Sequence, residues 1–181
     1  MGLPGGRDVK IHWVETGPVD GPLVICVHGL TGCARDFDWL AMAMARDRYR
    51  VAAIDLPGRG QSDRADPDDY SYKVYLRVLE RWLGYMGVSE SYPVTCWVGT
   101  SLGGLLGMRY TDVARYPIKT MVLNDIGPDV PADQLEMIRR FIREPYRFET
   151  FDDLHAYFIE TRGPNYGPMT AEGWLHFATH C

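Results

Sequence analysis

The run Val94-Thr95-Cys96-Trp97-Val98 leads directly into Gly99-Thr100-Ser101-Leu102-Gly103-Gly104, and this join restricts the fold more than any other part of the chain. Apolar and β-branched residues bounded by Pro93 and Gly99 have the length and character of a buried parallel strand. The stretch from Leu102 to Tyr110 then reads as a helix, closed off by Pro117. Passing from strand to helix in so few residues strains the backbone at Ser101. Gly99 and Gly103, two residues to either side, carry no Cβ to collide with the turn. Ser101 is thereby a candidate nucleophile at a helix N-terminus. There the amide of Leu102 faces any anion formed beside it and is one half of an oxyanion hole. A plain Gly-Ser turn has the same five-residue pattern, so the motif takes its meaning from what surrounds it.

Three more strand-to-loop joins surround it. Leu23-Val-Ile-Cys-Val27 runs into His28-Gly29-Leu30-Thr31-Gly32, where the glycines permit a tight loop and the Leu30 amide is a second candidate oxyanion donor. Val51-Ala-Ala-Ile54 runs into Asp55-Leu-Pro-Gly-Arg-Gly-Gln-Ser62, and Val122-Leu-Asn124 into Asp125-Ile-Gly-Pro128. Helical patterns lie between them. Residues 36–45 place Phe37, Leu40, Ala41 and Met44 on one face. Residues 71–86 turn Val74, Leu76, Val78, Leu79, Trp82, Leu83 and Met86 largely inward, with Ser71 or Asp69 as cap. Strands alternating with helices predict an α/β fold, a mostly parallel sheet with helices on both faces. His28, Asp55, Ser101 and Asp125 then all fall at carboxyl ends of strands, where active residues gather in such sheets.

Outside this series, residues 9–16 alternate like a half-buried strand. Residues 131–181 hold no clear strand; helices are expected near 132–143, 150–160 and 170–180, broken at Glu144-Pro145 and Gly163–Pro168. This divides the chain into a core, 1–130, and a helical segment, 131–181. Asp66, Asp68 and Asp69 complement the dipole of the helix that follows them, with cation binding as the alternative reading. His176 and His180, spaced i, i+4 with Glu172 nearby, raise the same alternative, but no metal and no cofactor is called for.

The charge balance, 19 basic against 24 acidic residues, argues against a nucleic-acid surface. No apolar run approaches the roughly 20 residues of a membrane span. Four cysteines, Cys26, Cys33, Cys96 and Cys181, match no zinc spacing and fit a reduced, cytoplasmic setting.

On the four strand-end motifs, the chain resembles the α/β-hydrolase family, in particular its small esterase-like and carbon–carbon-bond-hydrolase-like members. The matching pieces span residues 9 to about 130. The resemblance implies that Ser101 attacks an acyl carbon, that the amides of Leu30 and Leu102 hold the oxyanion, and that His28, Gly29, Gly99 and Gly103 support the site. Relatives that cleave haloalkanes or epoxides use aspartate at the nucleophile position. Serine instead implies an acyl-enzyme and a small-molecule ester or related acyl substrate. The family's chain order is nucleophile, acid, histidine, and Asp125 is one candidate acid. The helical segment looks like the family's cap.

None of His12, His28, His155, His176 and His180 matches the family's catalytic histidine, which follows a final strand not found before Cys181. The chain is therefore expected to be a truncated hydrolase, weak or inactive alone. Strand 119–124 is expected to be a bare edge capable of self-association. Hydrolysis of a carbon–carbon bond in ring-cleavage products, and non-catalytic ligand binding, stay open as alternatives.

Overall fold

The computed structural model describes residues 8–143 and 147–180. These form two compact units divided between Pro128 and Asp129. The first unit holds five strands: β1 (Trp13–Thr16), β2 (Leu23–Val27), β3 (Arg50–Ile54), β4 (Val94–Thr100) and β5 (Ile118–Asn124). Their helices are α1 (Asp38–Arg46), α2 (Tyr72–Tyr85) and α3 (Leu102–Val113). The sheet order is β1-β3-β2-β4-β5, with β1 antiparallel and every other pairing parallel. A mostly parallel α/β sheet is therefore present, as the strand–helix alternation predicts.

Two-residue periodicity sorts the strand side chains onto two cores. Leu23, Ile25, Val27, Ala52, Ile54 and Trp97 face Val78, Leu79, Trp82 and Leu83 of α2 and Leu106 and Tyr110 of α3. Val24, Cys26, Val51, Ala53 and Val98 face Ala34, Phe37 and Ala41 on the α1 side. All five side chains of β2 are buried, because this central strand is covered on both faces.

Local chemistry accounts for the element ends. Ser71 caps α2 by accepting the Val74 N–H, so Ser71 and not Asp69 takes that role. Phe37, just before α1, and Ala41 on it are buried but Leu40 is 39% exposed, so the inward stripe is narrower than its sequence period implies. β1 starts only at Trp13. The backbone before it bonds to a loop instead of a strand: the Lys10 N–H to the Asp63 carboxylate (2.9 Å) and the His12 N–H to Ser62 Oγ (2.8 Å).

The second unit contains α4 (Ala132–Arg143), α5 (Phe151–Tyr166) and α6 (Ala171–His180). Thr150 and Asp153 form a reciprocal capping box at the start of α5. Phe177 of α6 meets Phe158 and Tyr166 of α5 edge-on, at 5.0 and 5.5 Å between ring centroids. α5 runs six residues further than the sequence pattern indicates, through Gly163-Pro164, and stops at Gly167 with φ +73°. Pro164 lies in the last turn, where one missing donor disturbs little of the helix. The predicted break at Glu144-Pro145 and the cysteine at Cys181 lie outside the described residues. Among those described, no helix is long and apolar enough to cross a membrane.

One buried carboxylate joins the pieces of the first unit. Asp55 is 2% exposed; its Oδ1 accepts the Ala34 N–H (2.6 Å), and its Oδ2 accepts the Gln61 N–H (3.0 Å) and pairs with His12 Nδ1 (2.7 Å). Asp55→Ala is expected to destabilise the first unit by on the order of 3 kcal/mol, because it leaves buried donors without an acceptor. Leu40→Ala, at an exposed position, is expected to change stability by less than about 1 kcal/mol. Urea denaturation of the two variants checks both.

Candidate active site

β4 delivers Ser101 to the turn before α3 with φ +46° and ψ −110°, a region that serine rarely occupies. Three features hold it there. The Ser101 N–H donates to the Asn124 carbonyl at the end of β5 (2.9 Å). The Ser101 carbonyl accepts the N–H groups of Gly104 and Leu105, at 3.0 and 3.1 Å. Neither flanking glycine has room for a side chain: a Cβ at Gly99 would strike the backbone of Gly103 and Gly104, and one at Gly103 would strike the Val27 carbonyl. The Ser101 side chain makes no capping hydrogen bond, and the first-turn amide of Leu102 has no acceptor within the helix.

The loop after β2 packs against this turn. A Cβ built on Gly29 would lie 3.7 Å from the Ser101 Cβ, so the backbone at Gly29 lies against the serine. His28 is fully buried, and both of its ring nitrogens are engaged. Nε2 accepts the Leu56 N–H (3.0 Å), which requires the proton on Nδ1, and Nδ1 then donates to the Gly29 carbonyl (2.6 Å). In a trans peptide the N–H points opposite to the C=O. Anchoring the Gly29 carbonyl on His28 therefore turns the Leu30 N–H away from that side chain. Burial lowers the His28 pKa from 6.5 to about 4, opposed by the Gly29 carbonyl and Asp55 and reinforced by Arg59. This neutral, doubly bonded ring is a brace for the loop.

The remaining candidates fall in different places. Asp125 follows β5 directly, is exposed, and holds φ +54°, a second left-handed non-glycine residue at a strand end beside Ser101. His12 is committed to Asp55, beyond β3. Three strand spacings separate β1 from β4, about 14 Å, which removes His12 from reach of Ser101. Cys33, at the end of the Leu30 loop, has its thiol pushed up to about 12 by burial and is no rival nucleophile at neutral pH.

The sequence pattern did not show two of the site's supports. Arg59 Nε donates to the Leu30 carbonyl (3.1 Å), and the Leu56 amide sets the His28 tautomer. Both lie in the Asp55–Ser62 loop. The glycines and proline there signal a tight turn but not what the turn holds.

A mostly parallel sheet whose strands run into these loops agrees with the comparisons. The sequence profile of the alpha/beta hydrolase fold matches residues 22–156. The chain belongs to the alpha/beta hydrolase family. It is 35% identical over 172 residues to a 3-hydroxybutyrate-oligomer hydrolase of Cupriavidus necator, covering 94% of this chain and 57% of that protein. It is 30% identical over 104 residues to a haloalkane dehalogenase of Mycolicibacterium paratuberculosis, covering 57% of this chain and 33% of that protein. An alpha/beta hydrolase from Novosphingobium aromaticivorans superposes with a TM-score of 0.84 at 35% identity, over 99% of this chain and 61% of that structure. The chain thus spans about three-fifths of the length of the first and third of these relatives.

His28 makes stability depend on acid. Its folded pKa lies below its ordinary value, so between about pH 6.5 and 4 the unfolded chain binds a proton that the folded chain refuses. Stability therefore falls as the pH drops through that window, by up to about 3 kcal/mol from this group. Urea denaturation at pH 7 and pH 4.5 is expected to show a smaller loss in His28→Gln than in the wild type.

Proposed function

We propose that this hydrolase cleaves carboxylic esters through an acyl-enzyme on Ser101. The observation that carries the reading is the strained Ser101 turn with its hydroxyl outside the helix cap, packed beneath the Leu30 loop. In the proposed reaction the serine oxygen attacks the acyl carbon. The amides of Leu30 and Leu102 receive the developing oxyanion, and water later cleaves the acyl-serine ester. A serine suits this sequence because its acyl ester can be hydrolysed at the acyl carbon, whereas alkylation of serine would leave a stable ether. The relative at 35% identity acts, by its name, on oligomers of 3-hydroxybutyrate. Such oligomers are joined by ester bonds, and short hydroxyacid esters are accordingly the first substrates to test.

In this reading the base is neither His12 nor His28, since one is bound to Asp55 and the other is locked between Leu56 and Gly29. Asp125 is the acid candidate by position, and α4–α6 take the part of the cap. A second partner is a further polypeptide strand on β5. Among the described residues no strand pairs with its outer edge, and Val122 and Leu123 are 51% and 38% exposed.

Mixed with the separately produced part of the Cupriavidus relative that the match leaves uncovered, the chain is expected to take up a fluorophosphonate on Ser101, read by peptide mass spectrometry. Ser101→Ala is expected to take up none. A folded mixture in which Ser101 stays unlabelled is incompatible with the proposal. For the edge, sedimentation is expected to show self-association at high concentration, reduced in Val122→Lys.

A further inference from the structure

The Leu30 amide can stabilise an oxyanion only if the backbone on both sides of Leu30 is fixed. The peptide before it is held by His28 through the Gly29 carbonyl. The peptide after it is held by Arg59, whose Nε donates to the Leu30 carbonyl at 3.1 Å. Arg59 is itself pinned. Its Nη1 donates to the Pro57 carbonyl (2.8 Å) and to the Tyr75 hydroxyl oxygen (2.6 Å). Its guanidinium carbon lies 5.5 Å from the ring centroids of both Tyr70 and Tyr75. Tyr75 is 5% exposed on α2, so the anchor belongs to the main core. One planar cation therefore connects the loop after β2, the loop after β3 and helix α2. A lysine cannot repeat this, because its single ammonium lacks the rigid fork that reaches several acceptors at once.

We propose that Arg59 is a positioning residue for the oxyanion hole: by gripping the Leu30 carbonyl from a seat on α2, it aims the Leu30 N–H at the oxygen of a tetrahedral adduct on Ser101. Arg59 acts through the loop and has no contact with Ser101. The proposal rests on the reading of Ser101 as nucleophile, and the two can fail separately. With His28 fixing one peptide and Arg59 the next, the torsions at Leu30 are set from both sides. Loss of Arg59 frees one of them and leaves the His28 brace in place.

Phenylboronic acid tests this on the chain as it stands. The serine oxygen adds to trigonal boron and its proton passes to water, giving a four-coordinate boronate anion with an oxygen available to the oxyanion amides. Binding is followed by boron-11 NMR, and the His28 ring by nitrogen-15 NMR. The wild type is expected to form the adduct and Ser101→Ala to form none. Arg59→Met is expected to bind about tenfold more weakly, less than the loss on deleting a whole oxyanion donor because the Leu30 amide is misaimed and not removed. The nitrogen-15 pattern of an Nδ1-protonated His28 is expected to persist in that variant, separating a misaimed amide from a collapsed loop. If Arg59→Met does not fold, Arg59→Lys decides the matter, since it keeps the charge between the tyrosines and loses the fork. Wild-type affinity in either folded variant, or loss of the His28 pattern in both, overturns the positioning role. Absence of the adduct in the wild type, or its survival in Ser101→Ala, overturns the nucleophile reading and the inference with it.

Discussion

The Asp55 carboxylate is the constraint around which the first unit is organised. A buried anion is tolerable only when its lone pairs are occupied, and here three donors from three segments occupy them: His12 ahead of β1, Ala34 at the end of the Leu30 loop, and Gln61 in its own loop. The same residue bonds through its main chain, donating its N–H to the His12 carbonyl and accepting from Ser62 Oγ. Segments far apart in sequence thus meet at the carboxyl end of β3. The Leu30 loop then has a fixed far end at Ala34 and fixed middles at His28 and Arg59. Its geometry over Ser101 follows from those three points.

The Ser101 turn is held by different means. Hydrogen bonds donated to the Asn124 carbonyl and accepted from the N–H groups of Gly104 and Leu105 fix its backbone, and the absence of side chains at Gly99 and Gly103 lets strand, helix and neighbouring strand approach closely enough to form it. Residues in such conformations cost roughly 1–3 kcal/mol each and persist only where surrounding packing over-determines them. The two left-handed non-glycine residues at the ends of β4 and β5, Ser101 and Asp125, are adjacent cases of this in one small region.

Much of this was legible in the sequence because the physics is local there. Apolar runs leading into loops that contain Gly or Pro marked the four parallel strands, and the 3.6-residue period of Val74 to Leu83 marked α2 with its buried face. The glycines around Ser101 marked a turn with no space for a Cβ. What stayed hidden depends on contacts between distant segments. Nothing near Arg59 in sequence indicates that it reaches Leu30, 29 residues earlier, or that Tyr75, 16 residues later, anchors it. His12 sits in an alternating pattern that reads as strand, yet its neighbours bond to a loop that only the tertiary fold brings alongside. Leu40 has the right spacing for the core, but the face that α1 presents to the sheet carries Ala41 and Met44 and leaves Leu40 at its margin. In α5 the Gly163-Pro164 pair reads as a stop, yet proline near a helix end removes only one bond.

The bond from the Ser101 N–H to the Asn124 carbonyl means that the serine's own amide is already spent, and that the turn leans on the outermost strand of the sheet. Among the described residues no strand pairs with the other side of β5. A polypeptide that zips onto that side grips the same strand on which the serine turn rests. Whatever stiffens or loosens that edge strand is therefore passed through one hydrogen bond to the Ser101 turn.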